Sequence, residues 1–143
     1  MPPCIYHMCP RHSWVNQTTH TAGAGAGMDQ NEQQWYKPPT FDQDGGFIHA
    51  TSDPSMLIDI ANHFYATTSD PTEEWIILCI DEALLDSPVV YESAAPVGSI
   101  KAYDSDSGQQ TFPHIYGPIH PKCVIKILAM ERDPKTGTFI QNK

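Results

Sequence analysis

The sequence predicts an α+β domain, and three observations carry that prediction. Residues 75–80, Trp-Ile-Ile-Leu-Cys-Ile, are apolar at every position, as in a strand covered on both faces. Over residues 54–65 the apolar side chains Leu57, Ile60, Ala61 and Phe64 recur at i, i+3, i+4 and i+7, the stripe of an amphipathic helix. Further strand-like runs lie at residues 4–8, 47–51, 88–92 and 123–130, with turn residues between them.

Taken in order, residues 4–8 read as an opening strand with Ile5 and His7 on one face, ended by Pro10, which has no N–H for a ladder. Residues 11–18 can form a short helix that buries Trp14. From about residue 18 to 34 the composition falls to Thr, Gly, Ala, Asn and Gln, with Gly23, Gly25 and Gly27 at its centre, and reads as a flexible insertion. No apolar strand precedes those glycines and no helical stripe follows them, so a dinucleotide-binding loop lacks its structural context. The aromatic and proline-rich residues 35–41 read as an extended or turning segment that packs its rings on the core.

Asp44-Gly45-Gly46 is a turn, and it leads into a strand on which Phe47, His49 and Thr51 share one face while Ile48 and Ala50 share the other. Ser52 or Asp53 can then cap a helix that begins with Pro54, and the positive end of that helix is a potential anion site beside His49 and Thr51. His63 lies off the apolar stripe. Residues 75–80 are the expected centre of a sheet, 81–85 a turn or short helix, and 88–92 a strand with Val90 and Glu92 on one face. Residues 93–110 read as a mobile loop, and 112–118 as a rigid turn anchored by Phe112 and Tyr116 with Pro113 and Gly117 shaping its backbone. A last long strand at 123–130, a turn at 133–137 and a short strand at 138–140 complete the chain.

A chain of 143 residues fits a single domain, 1–143, long enough to bury about two thirds of its unfolded surface. Eight basic and 17 acidic residues give a net charge of −9 with no Lys/Arg cluster, which argues against nucleic acid and anionic membrane as partners. The start of the chain lacks a charged region followed by an apolar run, and no apolar stretch is long enough to span a bilayer, so a cytoplasmic protein is expected. Of the four cysteines, Cys79 and Cys123 lie in apolar runs, where the residue behaves as a small hydrophobe and no disulfide framework is expected. Cys4-x2-His7-x-Cys9-x2-His12 raises a metal site. Cys4 and His7 point to opposite faces of a strand, however, and the paired-ligand knuckle is missing, so no metal is expected.

Ile5-Tyr6-His7, Gly46-Phe47-Ile48-His49-Ala50-Thr51, Ala61-Asn62-His63-Phe64-Tyr65, Val90-Tyr91-Glu92 and Phe112-Pro113-His114-Ile115-Tyr116-Gly117-Pro118 together resemble domain-of-unknown-function family 952 across nearly the whole chain. That family looks related to the ADP-ribosyltransferase and RNA 2′-phosphotransferase superfamily. The resemblance implies an ADP-ribosyltransferase-like fold: two small packed β-sheets, flanking short helices and a central cleft that binds NAD. Carried onto this sequence, it implies site residues at His7, at His49 with Thr51, and at Glu92. The chain lacks the arginine or His-Gly dipeptide of better-known superfamily members, and the resemblance, though it places His49 in the site, gives no chemical role to His49 or His114.

The implied chemistry is cleavage of the nicotinamide–ribose bond, which needs charge stabilisation of an oxocarbenium-like centre and a clamp on the ribose. Glu92 suits the first task. A neutral His7 can both donate to and accept from a ribose hydroxyl. His49, Thr51 and Ser52 with the helix start can hold phosphate or ribose oxygens, and His114 and Tyr116 can line the same pocket. The bland alternative is that His7 and His49 are buried, satisfied core residues and Glu92 lies on the surface. Two further functional readings stand beside it: a non-catalytic small-ligand module, and another small-molecule enzyme, an isomerase, cyclase or hydrolase, using His7, His49, His114 and Glu92 as acids and bases. A serine hydrolase is disfavoured because no Gly-x-Ser-x-Gly elbow exists. His12, His20, His63 and His120 read as surface or packing residues.

Overall fold

β1 (Cys4–Pro10), β3 (Trp75–Asp81) and β6 (Val124–Ala129) form an antiparallel sheet in the order β1-β3-β6. In this computed structural model the described residues are 4–18, 35–103 and 111–140. β3 is central and buried along its length up to Ile80, as its unbroken apolar run requires. Ile5 and Cys9 of β1 share one face with Ile76, Leu78 and Ile80 of β3, and Met8, Trp75, Ile77 and Cys79 occupy the other. Each fully buried aliphatic side chain here contributes about 1.5–3 kcal/mol, so β3 anchors both layers of the core. β1 runs two residues beyond the expected strand. Pro10 pairs with Trp75, and it is tolerated because β1 is an edge strand.

The second sheet is β2 (Ile48–His49), β5 (Thr111–Ile115) and β4 (Val89–Ser93), in the order β2-β5-β4. Here the sequence reading needs correction: residues 111–115 are the central strand of this sheet, not part of a turn. Proline in a central strand is unusual, and Pro113 leaves its mark on the ladder. Ala50 N–H donates to Pro113 O (3.1 Å), but Pro113 has no N–H to return, and β2 ends at the His49–His114 pair. The chain then turns to the other sheet. Tyr6 and Thr51 exchange backbone hydrogen bonds of 2.8 and 2.9 Å, joining β1 to the segment after β2. Ile48, Ala50 and Ile115 pack against the Ile5–Leu78 face of the first sheet, with Tyr36 and Ile119 closing the shared core.

α1 (Arg11–Thr18) buries Trp14 against Tyr36, as expected. α2 (Leu57–Phe64) buries Leu57, Ala61 and Phe64 of the stripe read from the sequence, with Leu57 and Ala61 on the far face of the first sheet. Its first turn, Pro54–Met56, is 3₁₀, and Asp53 caps it by accepting from Ser55 N (3.0 Å) and Ser55 Oγ (2.7 Å). That carboxylate takes the place an external anion would need. The part of residues 93–110 that is described is more ordered than its composition implies: Val97 and Ile100 exchange backbone hydrogen bonds and Val97 is buried. A closing hairpin, β7 (Glu131–Arg132) with β8 (Phe139–Ile140), follows the expected turn. The insertion at residues 19–34, with His20, lies outside the described residues.

Candidate functional site

The site is built from the face of the second sheet that points away from the shared core. His49 on β2 sits directly across from His114 on β5, and Val90 on β4 sits across from His114 on its other side. Period-two geometry therefore puts Phe47, His49, Glu92, Phe112 and His114 on one face. Each histidine is tied to a carboxylate. His49 Nε2 donates to Asp44 Oδ2 (3.2 Å), and His114 Nδ1 donates to Glu92 Oε1 (2.8 Å).

Asp44 is held by three segments of chain. Its Oδ2 also accepts from Thr40 Oγ1 (2.8 Å), its Oδ1 accepts from Gly98 N (2.8 Å), and its side chain is only 1% exposed. The turn that presents it depends on Gly45 and Gly46, at φ +103° and +82°, where a side chain would be strained. Burial lowers the pKa of His49, with Asp44 pulling the other way and His114 adding to the lowering. Glu92 Oε1 also accepts from Tyr116 Oη (2.6 Å). Tyr116 first, then His114, holds the Glu92 carboxyl below its usual range, and the same bond raises the Tyr116 phenol. The Phe47 ring stacks on His114 (4.1 Å, 17°) and leans on His49 (4.8 Å), while the two imidazoles meet edge to face at 5.5 Å.

Because a carboxylate only accepts, these bonds fix the neutral tautomers: the proton sits on Nε2 of His49 and on Nδ1 of His114. His49 Nδ1 and His114 Nε2 have no hydrogen-bond partner among the described residues. Both residues line a cleft with Tyr6 and Met8 of β1, Ala50 and Thr51, Ile60 and Phe64 of α2, and Phe112; Ala94, Ala95 and Tyr103 complete the lining. The cleft encloses about 460 Å³ of space, including its open mouth.

His7 is the main departure from the expected set. It lies on the opposite face of β1 from Tyr6 and Met8, inside the shared core and behind the cleft. Its Nδ1 donates to His49 O (2.6 Å) and its Nε2 accepts from Tyr36 Oη (3.0 Å), so neither nitrogen is available to a ligand. Burial lowers its pKa to about 4. Ser52 is exposed and outside the cleft, whereas Thr51 is buried in its wall. Glu92 is half-buried and reaches the cleft through His114, and Tyr116 reaches it through Glu92. His63 bonds to Lys101 O, and His120 caps the turn Pro121–Cys123. Among the described residues, no three His, Cys, Asp or Glu side chains are grouped to hold a metal ion.

Asp44 is the functional candidate that sequence reasoning missed. An Asp-Gly-Gly turn explains itself by backbone geometry, and nothing in the sequence says that this carboxylate turns inward to the histidine five residues later. Tyr6, Phe64 and Phe112 were legible only as packing residues.

An α+β domain of two small antiparallel sheets, with paired carboxylate-held histidines in a cleft beside their junction, defines the class. The chain belongs to the family described as "Protein of unknown function (DUF952)", whose model matches residues 8–127, in agreement with the resemblance read from the Gly46–His49 and Phe112–Pro118 motifs. Among solved structures it is similar to protein CC0527 from Caulobacter crescentus and to a double methionine variant of that protein. Each is 18% identical with a TM-score of 0.61, covering 96% of this chain and 93% of that one. At that identity the likeness concerns the fold. No curated protein matches the chain.

Proposed function

We propose that the cleft binds a small, largely apolar organic molecule and that His49 and His114 act on it as general acid and base. The observation that carries this is the pair of imidazoles, ring centres 5.5 Å apart, each fixed by a carboxylate and each left with one nitrogen that has no partner among the described residues. Either imidazole can take a proton from one ligand atom at its free nitrogen, become an imidazolium held by its carboxylate, and return that same proton to another atom, as in an isomerase, cyclase or hydrolase. Asp44 and Glu92 orient the rings and stabilise the imidazolium formed during turnover.

A second reading follows from the family resemblance: an ADP-ribosyltransferase-like fold with NAD as ligand and transfer or cleavage of its ribosyl group. It is favoured by Glu92, whose Oε2 has no hydrogen-bond partner among the described residues and which shares a sheet face with both histidines. In that reading Glu92 stabilises the oxocarbenium centre, His49 and Thr51 contact ribose, Tyr116 supports Glu92, and only the nicotinamide end enters the inner cleft. The four free cysteines fit a reducing compartment such as the cytoplasm in either case.

The test is to equilibrate the protein with a mixture of small metabolites and identify what it retains by mass spectrometry, beside a His49→Ala/His114→Ala variant. A compound retained only by the parent protein, and converted with a bell-shaped pH dependence, is the expected result. Retention equal in both proteins would exclude the cleft. Release of nicotinamide from NAD, abolished by Glu92→Ala, would establish the second reading instead.

A further inference from the structure

We infer that the cleft selects a neutral molecule with a hydrogen-bond donor, an amide N–H or a hydroxyl, on a flat apolar body, and that it rejects anions. This rests on the cleft being the binding site and adds the polarity of its ligand. The argument begins with the two tautomers. Asp44 Oδ2 and Glu92 Oε1 can only accept, so each takes an N–H of its histidine, and a neutral ring then presents its lone pair at His49 Nδ1 or His114 Nε2. A ligand atom beside those nitrogens therefore meets acceptors on both rings.

The remaining surroundings agree. Among the described residues no Lys or Arg lines the cleft, and the carboxylates behind both histidines repel an incoming negative charge. The protein as a whole carries −9. Burial disfavours the proton on His49 that would turn it into an anion-binding donor. Tyr6, Phe64 and Phe112 supply flat apolar walls, and Phe47 holds the His114 ring in place from the side by stacking on it. Thr51 adds little to the recognition of an acceptor, since its hydroxyl already accepts from Asp53 N and points to Asp53 O.

Benzamide, methyl benzoate and benzoate share one ring and differ at one group: a neutral donor, a neutral ester with no donor, and an anion. Titrating each into the full chain at neutral pH, with the histidine rings labelled with ¹⁵N, reads both affinity and place. Benzamide should shift the His49 and His114 ring resonances and bind at least about tenfold more tightly than the other two, because the ester leaves buried acceptors unpaired and the anion adds repulsion. Binding of benzoate as tight as or tighter than benzamide would overturn the inference, since it would require cationic imidazoles, while leaving the cleft as the site. Equal affinity for ester and amide would also overturn it. Absence of histidine shifts with all three would take down the reading of the cleft on which the inference rests.

Discussion

His7 and His49 are joined by a single hydrogen bond, yet they illustrate opposite uses of the same side chain. His7 spends both ring nitrogens inside the protein, on His49 O and Tyr36 Oη, and faces the core between the sheets. His49 spends one nitrogen on Asp44 and faces the cleft, as His114 does with Glu92. Burial alone does not decide the use, for His114 faces the cleft and is as buried as His7. What separates them is how many partners the protein provides, and a ring with one partner is a ring with chemistry left to do.

The comparison is most easily broken at His7. Replacing it with Ala leaves a cavity and strands two buried partners, which should cost about 3–4 kcal/mol and lower the melting temperature by roughly 10 °C. His49→Ala should cost about 1 kcal/mol, since its ring is partly exposed and the carboxylate behind it keeps other partners. Urea denaturation of both variants checks this; similar losses would erase the distinction. Acid offers a second test of His7. Its folded pKa of about 4 lies below the ordinary imidazole value of 6.5, so the unfolded chain takes up the proton first. Stability is complete above about 6.5 and drains as pH falls toward about 4, by about 3 kcal/mol. The slope should vanish in His7→Asn, and persistence there would assign it to another group.

Smaller effects sharpen the cleft side. Asp44→Asn should cost about 2 kcal/mol, because it removes a buried charge that accepts from three segments. It should also release the His49 proton from Nε2, a change seen directly in ring ¹⁵N shifts. Unchanged shifts would mean that Asp44 does not set the tautomer. The smallest expected effect is that of Tyr116→Phe. Glu92 should lose the larger of the bonds that hold its carboxyl low, so its pKa should rise toward the ordinary range, followed by ¹³C titration of the carboxylate.

Much of this fold was legible because its strongest signals are local. The all-apolar run in β3, the i, i+3, i+4 stripe of α2 and the Asp53–Pro54 helix start all appear where periodicity and capping place them. Residues 111–115 were misread because two prolines and a glycine within seven residues look like a turn, and only a short partner strand permits Pro113 at the centre of a sheet. The site was legible to the same extent. The alternation put His49 and Thr51 on one face, and both line the cleft, but the sequence could not show that β1 turns His7 the other way relative to the cleft. Nor could it show that Asp44, Thr40 and Gly98 converge, since their contacts depend on loops that period-two reasoning does not reach.

Pro113 acts on the zipper between β2 and β5 as a stop does on a slide fastener. With an ordinary amide at that position, Ala50 O would gain a donor and closure could run one tooth further. The chain would then be drawn along β5 at the point where it now departs to meet Tyr6. By withholding one proton, a residue with no polar side chain decides where the seam between the two sheets opens, and the cleft begins at that opening.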